Sequence, residues 1–519
     1  MIILAGLILL SFLLRLLNDP AITIYPDSCL YMSFAKSMLN GKFSFDFRNG
    51  DETILPPLYS IFSAVFSFFT GDIELSGVLI SAIAGALLII PVFYLARAIY
   101  NETAAWICAV LIFLSPVLIR WSGVILTESL FITLFLSGIA FGWYGIERRK
   151  NVLFLLCGAF IGLAYMTRII GFVAVPVIIL SIIFYSVKSG KPGSSNQGGI
   201  YNLNLKKLSK DILTPIIIFS IGFILITGAY LVKLHSFYGQ WTLSGSYGSI
   251  KSTISLEGSD TVSGWESLET EKTEESFVEE ATKKVINNAQ NYISVLFKML
   301  ILTIIFVVAG LFSNRKVIYV ASFVFFYFLA LLVLPHSPMV DESVRYLSPI
   351  MPLLLITASG GIVRIHDLIK WKAVQRAVIP VSVGIILISS IPQLWVFPIH
   401  FKKSWIKKEI SIETNEKVGL WMKENLPHPI RVMSRKPFIP YYADAIWFVT
   451  PSTYKAVIDL ANQNAVDYIV IDRRIDYYLR PELRFLFDTK QAPADLKFID
   501  GIRHPKTGQL VVGIYKINR

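Results

Sequence analysis

The chain has 519 residues, of which 54% are hydrophobic and only 16% are charged, and its mean hydropathy is +0.60. About a quarter of the residues in a soluble globular protein are charged, so this composition excludes an ordinary soluble enzyme and indicates a polytopic membrane protein. Cytoplasmic Lys and Arg explain the net charge of +12 in such a protein, and nucleic acid is therefore not an expected partner. The three cysteines show neither a disulfide framework nor metal-ligand spacing.

Eleven apolar segments are long enough to be interpreted as membrane spans. The first lacks a basic n-region and a small-residue cleavage site, which favours a retained span over a removed signal peptide. The segment Leu55–Thr70 is also apolar, but it is short and begins with Pro56-Pro57, which favours interfacial or re-entrant packing. The predicted spans lie near residues 1–17, 77–99, 104–119, 125–146, 151–167, 169–187, 212–232, 292–313, 317–334, 347–363 and 377–398.

The basic residues predict the orientation of these spans. With a cytoplasmic N-terminus, most Lys and Arg clusters fall in cytoplasmic loops, as the positive-inside rule requires. The first loop, 18–76, and the acidic loop 233–291, with a candidate amphipathic helix at 266–288, are then extracytoplasmic, and the Gly- and Ser-rich segment 188–210 is a cytoplasmic linker. Arg15 and Arg120 fall near outer span ends, where they could snorkel or meet an anion. We expect a multi-pass protein of the plasma (inner) membrane.

After Pro398 the composition becomes that of a soluble domain. The hydrophobic pattern predicts helices at 412–425 and 451–463 and strands at 430–434, 467–472 and 510–517. The predicted domains are therefore a transmembrane domain, 1–398, and an extracytoplasmic α/β domain, 399–519. The triplet Asp472-Arg473-Arg474 follows a strand, where sites often occur, but no second motif element accompanies it, which favours a loop role.

Asp27 is the first candidate functional residue. It lies in Tyr25-Pro26-Asp27-Ser28-Cys29-Leu30-Tyr31, about where the chain leaves the bilayer after the first apolar segment. An unpaired carboxylate is costly at that depth. Two explanations fit this position: a cap for the following helix, 28–39, or a functional acid.

A second acid and two arginines are predicted at the same outer level. Glu128 begins the fourth span inside an apolar run, and because a carboxylate facing lipid would cost about 2–3 kcal/mol or more, it should face a protein cavity. Arg168 lies in an outer turn between two short spans. Arg345 begins the tenth span, where it opposes the helix dipole. Either a bound phosphate or an ion pair with Asp341 or Glu342 would explain it.

These residues lie within a series of short motifs: Asp27-x-x-x-Tyr31, Pro56-Pro57-Leu58-Tyr59, Thr127-Glu128-Ser129-Leu130-Phe131, Gly158-x-x-x-Gly162-Leu163-Ala164-x-x-Thr167-Arg168, Arg345-Tyr346-Leu347-x-Pro349-x-x-Pro352 and Gly419-Leu420-Trp421-x-x-Glu424-Asn425-Leu426-Pro427. In their order and predicted membrane side they resemble the C-type polyprenyl-phosphate-sugar glycosyltransferases, which include the protein O-mannosyltransferases and the lipid A aminoarabinose transferase. The resemblance extends over most of the chain.

The resemblance implies a fold and a reaction. The fold is a polytopic α-helical membrane protein of about 11 spans, the C-type glycosyltransferase fold, with a C-terminal extracytoplasmic α/β domain. The reaction transfers a hexose or pentose from a polyprenyl-phosphate-linked monosaccharide to a hydroxyl group of a lipid, glycan or protein acceptor. Transfer takes place outside the cytoplasm, in cell envelope glycosylation, with inversion at the anomeric carbon.

The resemblance also implies residue roles. Asp27 matches the general base and Glu128 the second acid, while Arg168 and Arg345 would hold the phosphate of the leaving group, with support from Tyr31, Tyr346 and His336. No cofactor is assigned with certainty; a divalent cation joining the two acids is left open, since hard cations take carboxylate ligands. Many relatives have Asp-Glu where this chain has Asp27-Ser28, so any role of that second acid is missing here.

Two other functions are left open. A membrane transporter or lipid-linked sugar flippase without transferase activity would place polar or broken helices near the bilayer midplane, often in two repeated halves, whereas the predicted spans have no charged residue at mid-span. A polymerase or ligase that uses a lipid-pyrophosphate oligosaccharide would need more arginine around its donor.

Overall fold

The structure is a computed structural model that describes residues 2–17, 24–189, 209–243, 277–333, 340–404 and 412–518. The chain divides into two units. Unit 1 consists of Met1–Thr23, Pro56–Phe62 and Glu74–Val396, and unit 2 of Ile24–Leu55, Ser63–Ile73 and Phe397–Arg519. Most of the predicted linker 188–210, residues 266–276 of the predicted amphipathic helix and His336 lie outside the described residues.

Helices make up most of the described chain. In chain order they are α1 Ile2–Leu17, α2 Pro26–Leu39, α3 Leu58–Thr70, α4 Ile73–Leu87, α5 Ile89–Ile99, α6 Glu102–Leu114, α7 Pro116–Ser122, α8 Glu128–Arg148, α9 Asn151–Tyr165, α10 Ala174–Ser189, α11 Thr214–Tyr238, α12 Phe277–Leu300, α13 Ile304–Leu311, α14 Val317–Val333, α15 Val340–Leu347, α16 Met351–Leu368, α17 Lys372–Ser404, α18 Ile412–Asn425, α19 Phe438–Tyr442, α20 Tyr454–Gln463 and α21 Asp476–Leu479.

Six of the described helices are long and apolar enough to cross a membrane, or up to eight if each of two bent pairs is one span. The pair α6 and α7 bends by 55°, and Thr282–Leu300 of α12 bends by 97° against α13. The first bend follows from Pro116, which has no backbone N–H to donate a hydrogen bond to the preceding turn. Its ring also disfavours helical geometry at Ser115. Four shorter apolar helices, α1, α3, α9 and α14, are too short to be counted by length alone. The total of eleven spans therefore stays a prediction.

Two helix crossings in unit 1 depend on glycine. A Cβ atom on Gly158 of α9 would collide with a backbone carbonyl of α11, and one on Gly222 of α11 would collide with a carbonyl of α9. Gly310 of α13 and Gly361 of α16 meet in the same reciprocal way. Small residues let the backbones of membrane helices approach closely, where van der Waals contact replaces the missing hydrophobic driving force. Gly158, the first residue of its sequence motif, thus has a packing role.

The C-terminal part of unit 2 is a five-stranded mixed sheet. Its strands are β1 Arg431–Ser434, β2 Ile446–Val449, β3 Tyr468–Asp472, β4 Leu496–Arg503 and β5 Leu510–Ile517, in the order β2-β1-β3-β5-β4. β1 runs parallel to β2 and β3, and β5 runs antiparallel to β3 and β4. The predicted strands correspond to β1, β3 and β5 and the predicted helices to α18 and α20; β2 and β4 were not predicted.

Residues of the predicted first loop complete unit 2 at the edge strand β2. The backbone N–H of Trp447 donates to the carbonyl of Phe47 at 2.6 Å, and the N–H of Asn49 donates to the carbonyl of Trp447 at 2.8 Å. On α2, the Nζ atom of Lys36 lies 3.1 Å from Oδ1 of Asp444. Because an unpaired sheet edge invites pairing with another chain, this loop segment also protects β2.

A buried acid holds the turn after β3. Asp476 is only 1% exposed, and its Oδ2 accepts a hydrogen bond from the backbone N–H of Asp472 at 2.6 Å. The Asp472 carboxylate accepts in turn from Nε of Arg474 at 2.8 Å. These local bonds give Asp472-Arg473-Arg474 a role in the turn. Burial raises the pKa of Asp476 to about 7, an effect that the nearby Arg480 and Arg435 only partly oppose.

We predict that Gly158→Ala and Gly222→Ala each lower the free energy of unfolding by about 1–3 kcal/mol, because the added methyl group forces α9 and α11 apart. Thermal unfolding in detergent measures the loss. Gly228→Ala on α11 is the control, since its Cβ would meet nothing closer than 3.6 Å. Equal stability of all three variants would contradict the glycine-dependent crossing.

The raised pKa of Asp476 predicts a pH-dependent stability of the sheet domain. Between pH 3.8, the ordinary pKa, and about pH 7, the pKa in the folded chain, the unfolded chain has lost this proton while the folded chain keeps it. The free energy of unfolding therefore falls by up to about 4 kcal/mol as the pH rises through this range. Hydrogen exchange of β3 in the full chain, corrected for intrinsic rates, should therefore show less protection at pH 8 than at pH 5. Asp476→Asn should remove the difference, whereas the exposed Asp459→Asn should keep it. Equal protection of the parent at both pH values would refute the prediction.

Candidate active site

A buried carboxylate joins three separate segments of unit 1. Glu128 is the first residue of α8, and it is completely buried. Its Oε1 atom accepts hydrogen bonds from Nη1 of Arg168 and from Nε of Arg345. Arg168 lies in the turn after α9, and Arg345 lies on α15. Glu128 therefore faces protein rather than lipid, as predicted, and we call these three residues the Glu128 cluster.

Two aromatic residues and a hydroxyl surround this cluster. The Arg168 guanidinium lies 5.7 Å from the centre of the Tyr346 ring, a distance typical of cation–π contact. Its Nη1 atom is also 3.4 Å from Oγ1 of Thr127. Tyr327 of α14 lies close enough to Arg168 and Glu128 for electrostatic interaction. Tyr327 was not predicted as a site residue, since nothing in its apolar run distinguishes it.

The two arginines differ in exposure. The side chain of Arg345 is 9% exposed and that of Arg168 is 17% exposed, whereas Glu128 has no exposed surface. Two guanidinium groups around one carboxylate leave one net positive charge within the cluster. The contact between Arg345 and Glu128 was not predicted; the side chains of the suggested partners, Asp341 and Glu342, lie outside the described residues.

Asp27 belongs to unit 2 and does not cap its helix. α2 begins at Pro26 with Tyr25 as the N-cap residue, so Asp27 lies in the first turn. The cap contact is made by Ser28, whose Oγ atom accepts from the backbone N–H of Tyr25 at 2.9 Å. The interpretation of Asp27 as the helix cap is therefore wrong. Ser28 is completely buried, so its side chain is enclosed by the protein.

Arg48 is the charged neighbour of Asp27 that the sequence did not reveal. Burial lowers the pKa of Arg48, and the negative charge of Asp27 partly opposes that effect. The Arg48 guanidinium also lies 5.8 Å from the ring of Trp447. The half-buried Asp27 thus has a fixed cation nearby, within the same unit.

The structure brings four of the predicted site residues together, whereas the contact of the others with this group stays a prediction. Glu128, Arg168, Arg345 and Tyr346 are neighbours in unit 1. Asp27 lies in the other unit, as does Tyr31 on α2, so a cavity shared by Asp27 and the Glu128 cluster stays a prediction. His336 is outside the described residues. Within the described ranges, no group of three His, Cys, Asp or Glu side chains could hold a metal ion.

The position of Arg15 contradicts the prediction that its side chain snorkels at the outer end of the first span. Its side chain does not snorkel, since Arg15 is only 1% exposed. Nε donates to Oγ of Ser122 at 2.9 Å and Nη1 donates to the carbonyl of Ser11 at 3.1 Å. The missing side chain of Gly85 leaves space for this guanidinium, because a Cβ there would lie 2.8 Å from Nε. Arg15 therefore has a packing role inside unit 1.

Comparisons with known proteins agree with this architecture. Residues 55–194, which include Glu128 and Arg168, match the family model for dolichyl-phosphate-mannose-protein mannosyltransferase. The comparison with curated proteins gave no match. The predicted resemblance and the C-type glycosyltransferase fold are confirmed by this match together with two solved structures.

Both solved structures are distant in sequence. One is the archaeal oligosaccharyltransferase AglB from Archaeoglobus fulgidus in complex with an inhibitory peptide and a dolichol-phosphate, with 14% identity, coverage of 92% of this chain and 70% of that chain, and a TM-score of 0.56. The other is ArnT from Cupriavidus metallidurans bound to undecaprenyl phosphate, with 13% identity, coverage of 99% and 97%, and a TM-score of 0.54. These similarities define the fold.

We predict that Glu128→Gln lowers the free energy of unfolding by about 3–5 kcal/mol, because it leaves two poorly solvated guanidinium groups without their counter-charge. Thermal unfolding in detergent measures the effect. Glu147→Gln is the matched control: it removes an ion pair with Lys316 at 2.9 Å in which both side chains are more than a third exposed, and such pairs contribute about 1 kcal/mol or less.

A double variant separates charge from packing in the same test. Arg345→Met in the Glu128→Gln background should recover part of the lost stability, since it removes one of the uncompensated charges. The buried ion cluster would be contradicted if the losses of stability from Glu128→Gln and Arg345→Met added in the double variant. It would also be contradicted if Glu128→Gln and Glu147→Gln lowered the stability by the same small amount.

Proposed function

We propose that this chain is an integral-membrane glycosyltransferase that moves a sugar from a polyprenyl-phosphate-linked monosaccharide to an acceptor hydroxyl on the extracytoplasmic side, with inversion. The observation that carries the proposal is the buried, net positive Glu128 cluster in a chain of this fold. The AglB and ArnT structures contain dolichol-phosphate and undecaprenyl phosphate, respectively. A lipid phosphate as leaving group on this chain is consistent with both observations.

The cluster has the charge that a departing phosphate requires. When the bond between the anomeric carbon and the phosphate oxygen breaks, its electron pair leaves with the lipid phosphate, and fixed cations stabilise that charge. Guanidinium groups suit this role because their donors match phosphate oxygens. The greater exposure of Arg168 favours it as the residue that meets the phosphate. Arg345, which is more deeply buried on Glu128, is then a positioning residue.

Asp27 is the proposed general base. Its carboxylate would take the proton of the acceptor hydroxyl while that oxygen forms the new bond to the anomeric carbon. A single displacement of this kind inverts the anomeric configuration. Arg48, which lies near Asp27, would orient the carboxylate. Glu128 holds the two arginines, since its Oε1 accepts from both guanidinium groups.

The proposed topology follows the charge distribution. A cytoplasmic N-terminus in the plasma (inner) membrane is supported by the positive-inside rule. The transmembrane domain would comprise residues 1–398 and the extracytoplasmic domain residues 399–519. The acceptor would be a hydroxyl of a lipid, a glycan or a protein. No specific observation favours the alternative of a transporter or flippase.

We predict that Asp27→Asn lowers sugar transfer by about 100-fold or more, because it keeps the size of the side chain but removes the base. The assay measures transfer from a panel of radiolabelled polyprenyl-phosphate sugars in membranes. Asp51→Asn, an exposed acid of the same loop, is the matched control and should retain full activity. Thermal unfolding establishes that both variants remain folded.

Two outcomes would refute the proposal. One is a folded Asp27→Asn variant that transfers sugar at more than a tenth of the parent rate. The other is a parent protein that transfers sugar from no donor and instead moves labelled lipid across the bilayer, which would identify a flippase.

A further inference from the structure

Unit 1 contains a cavity near the end of α8 opposite Glu128. α8 has 21 residues, so its two ends are about 30 Å apart. The cavity of about 790 Å³ lies along the C-terminal half of α8, where it is bounded by α5, by the first turn of α9 and by the residue just before α14. The lining residues of α8 run from Ser137 to Arg148, so the cavity does not include Glu128.

The cavity lining combines an apolar wall with basic residues. The apolar part comes from the first turn of α5 and the C-terminal half of α8, and includes Ile90, Pro91, Ala140 and Phe141. The basic residues are Arg97, Arg148 and Lys316, and the one acid in the lining is Glu147. The basic residues come from the ends of α5 and α8 and the segment just before α14, so charge and apolar surface are segregated along the helix axes.

The positive charges are only partly compensated. Lys316 pairs with Glu147 at 2.9 Å, and Arg97 pairs with Glu102 at 3.3 Å. Arg148 makes no ion pair with any residue in the described ranges, and its guanidinium lies 4.7 Å from the centre of the Tyr144 ring. The Tyr144 hydroxyl donates to the carbonyl of Tyr94 at 3.0 Å, which fixes the ring under Arg148.

We propose that this cavity binds an anionic lipid through its phosphate, with the phosphate at Arg148 and Arg97 and the aliphatic chain along the wall formed by Ile90 and Phe141. The volume is in the range of small-molecule sites. Basic pockets between membrane helices bind anionic headgroups, because the cationic end lies at the interface and the apolar end in the hydrocarbon. The proposal is independent of glycosyl transfer and concerns the opposite end of α8.

Native mass spectrometry of the full chain in detergent tests the proposal. Phosphatidylglycerol, phosphatidylcholine with the same acyl chains, and undecaprenyl phosphate are titrated separately into the parent, Arg148→Gln and the double variant Arg97→Gln/Arg148→Gln. Lys150→Gln is the control, since it removes an equal charge from an exposed neighbour that does not line the cavity.

We expect the parent to prefer an anionic phosphate lipid over phosphatidylcholine. Arg148→Gln should weaken that binding about fivefold and the double variant about 25-fold, because each substituted arginine removes about one interfacial charge. Lys150→Gln should change the binding by less than about twofold. Stronger binding of phosphatidylglycerol identifies a bilayer phospholipid as the occupant, and stronger binding of undecaprenyl phosphate identifies a polyprenyl lipid. Equal binding of anionic and zwitterionic lipids, or equal loss in Arg148→Gln and Lys150→Gln, would overturn the proposal.

Discussion

The buried ion cluster of Glu128 with Arg168 and Arg345 is the interaction on which the candidate active site depends. A carboxylate without exposed surface is tolerated in an apolar environment only when its charge is compensated and hydrogen-bonded. Here the compensation comes from residues 40 and 217 positions away in the chain. The cluster therefore links the start of α8, the turn after α9 and the last turn of α15. Its net positive charge is what gives the proposed phosphate role a physical basis.

Close helix packing supports this arrangement. α9, which leads into Arg168, packs on α11 through Gly158 and Gly222, and α16, which follows Arg345, packs on α13 through Gly310 and Gly361. Because these contacts are backbone to backbone, the helices have little freedom to slide. Arg168 and Arg345 thus extend from tightly packed elements, which suits a site that must hold charge in a fixed geometry. In unit 2, the edge strand β2 binds the segment that follows α2, so the loop carrying Arg48 has its own support.

The sequence predicted these features to different extents. β3, with its continuous apolar run, and α18, with its helical period, could be predicted because local pattern decides them. β4 contains Asp500 and Gly501, which interrupt a strand pattern. β2 is the run Ile446-Trp447-Phe448-Val449, whose composition is that of a strand, so it was overlooked rather than hidden. The burial of Glu128 within the protein could be predicted from the cost of exposing a charge to lipid. Its pairing with Arg345 could not be predicted, since it depends on how distant helices pack. The same reason explains Arg15, whose burial depends on the small residues Gly85 and Ser122 across the bundle.

The most direct test of the account is the anomeric configuration of the transferred sugar, measured by nuclear magnetic resonance on product made from a polyprenyl-phosphate sugar of known configuration. A general base at Asp27 and a phosphate leaving group held by the Glu128 cluster predict one displacement, so the product should have the inverted configuration and one polyprenyl phosphate should be released per sugar transferred. A product with retained configuration would contradict the account, because it would require a covalent intermediate and a nucleophile in place of a base.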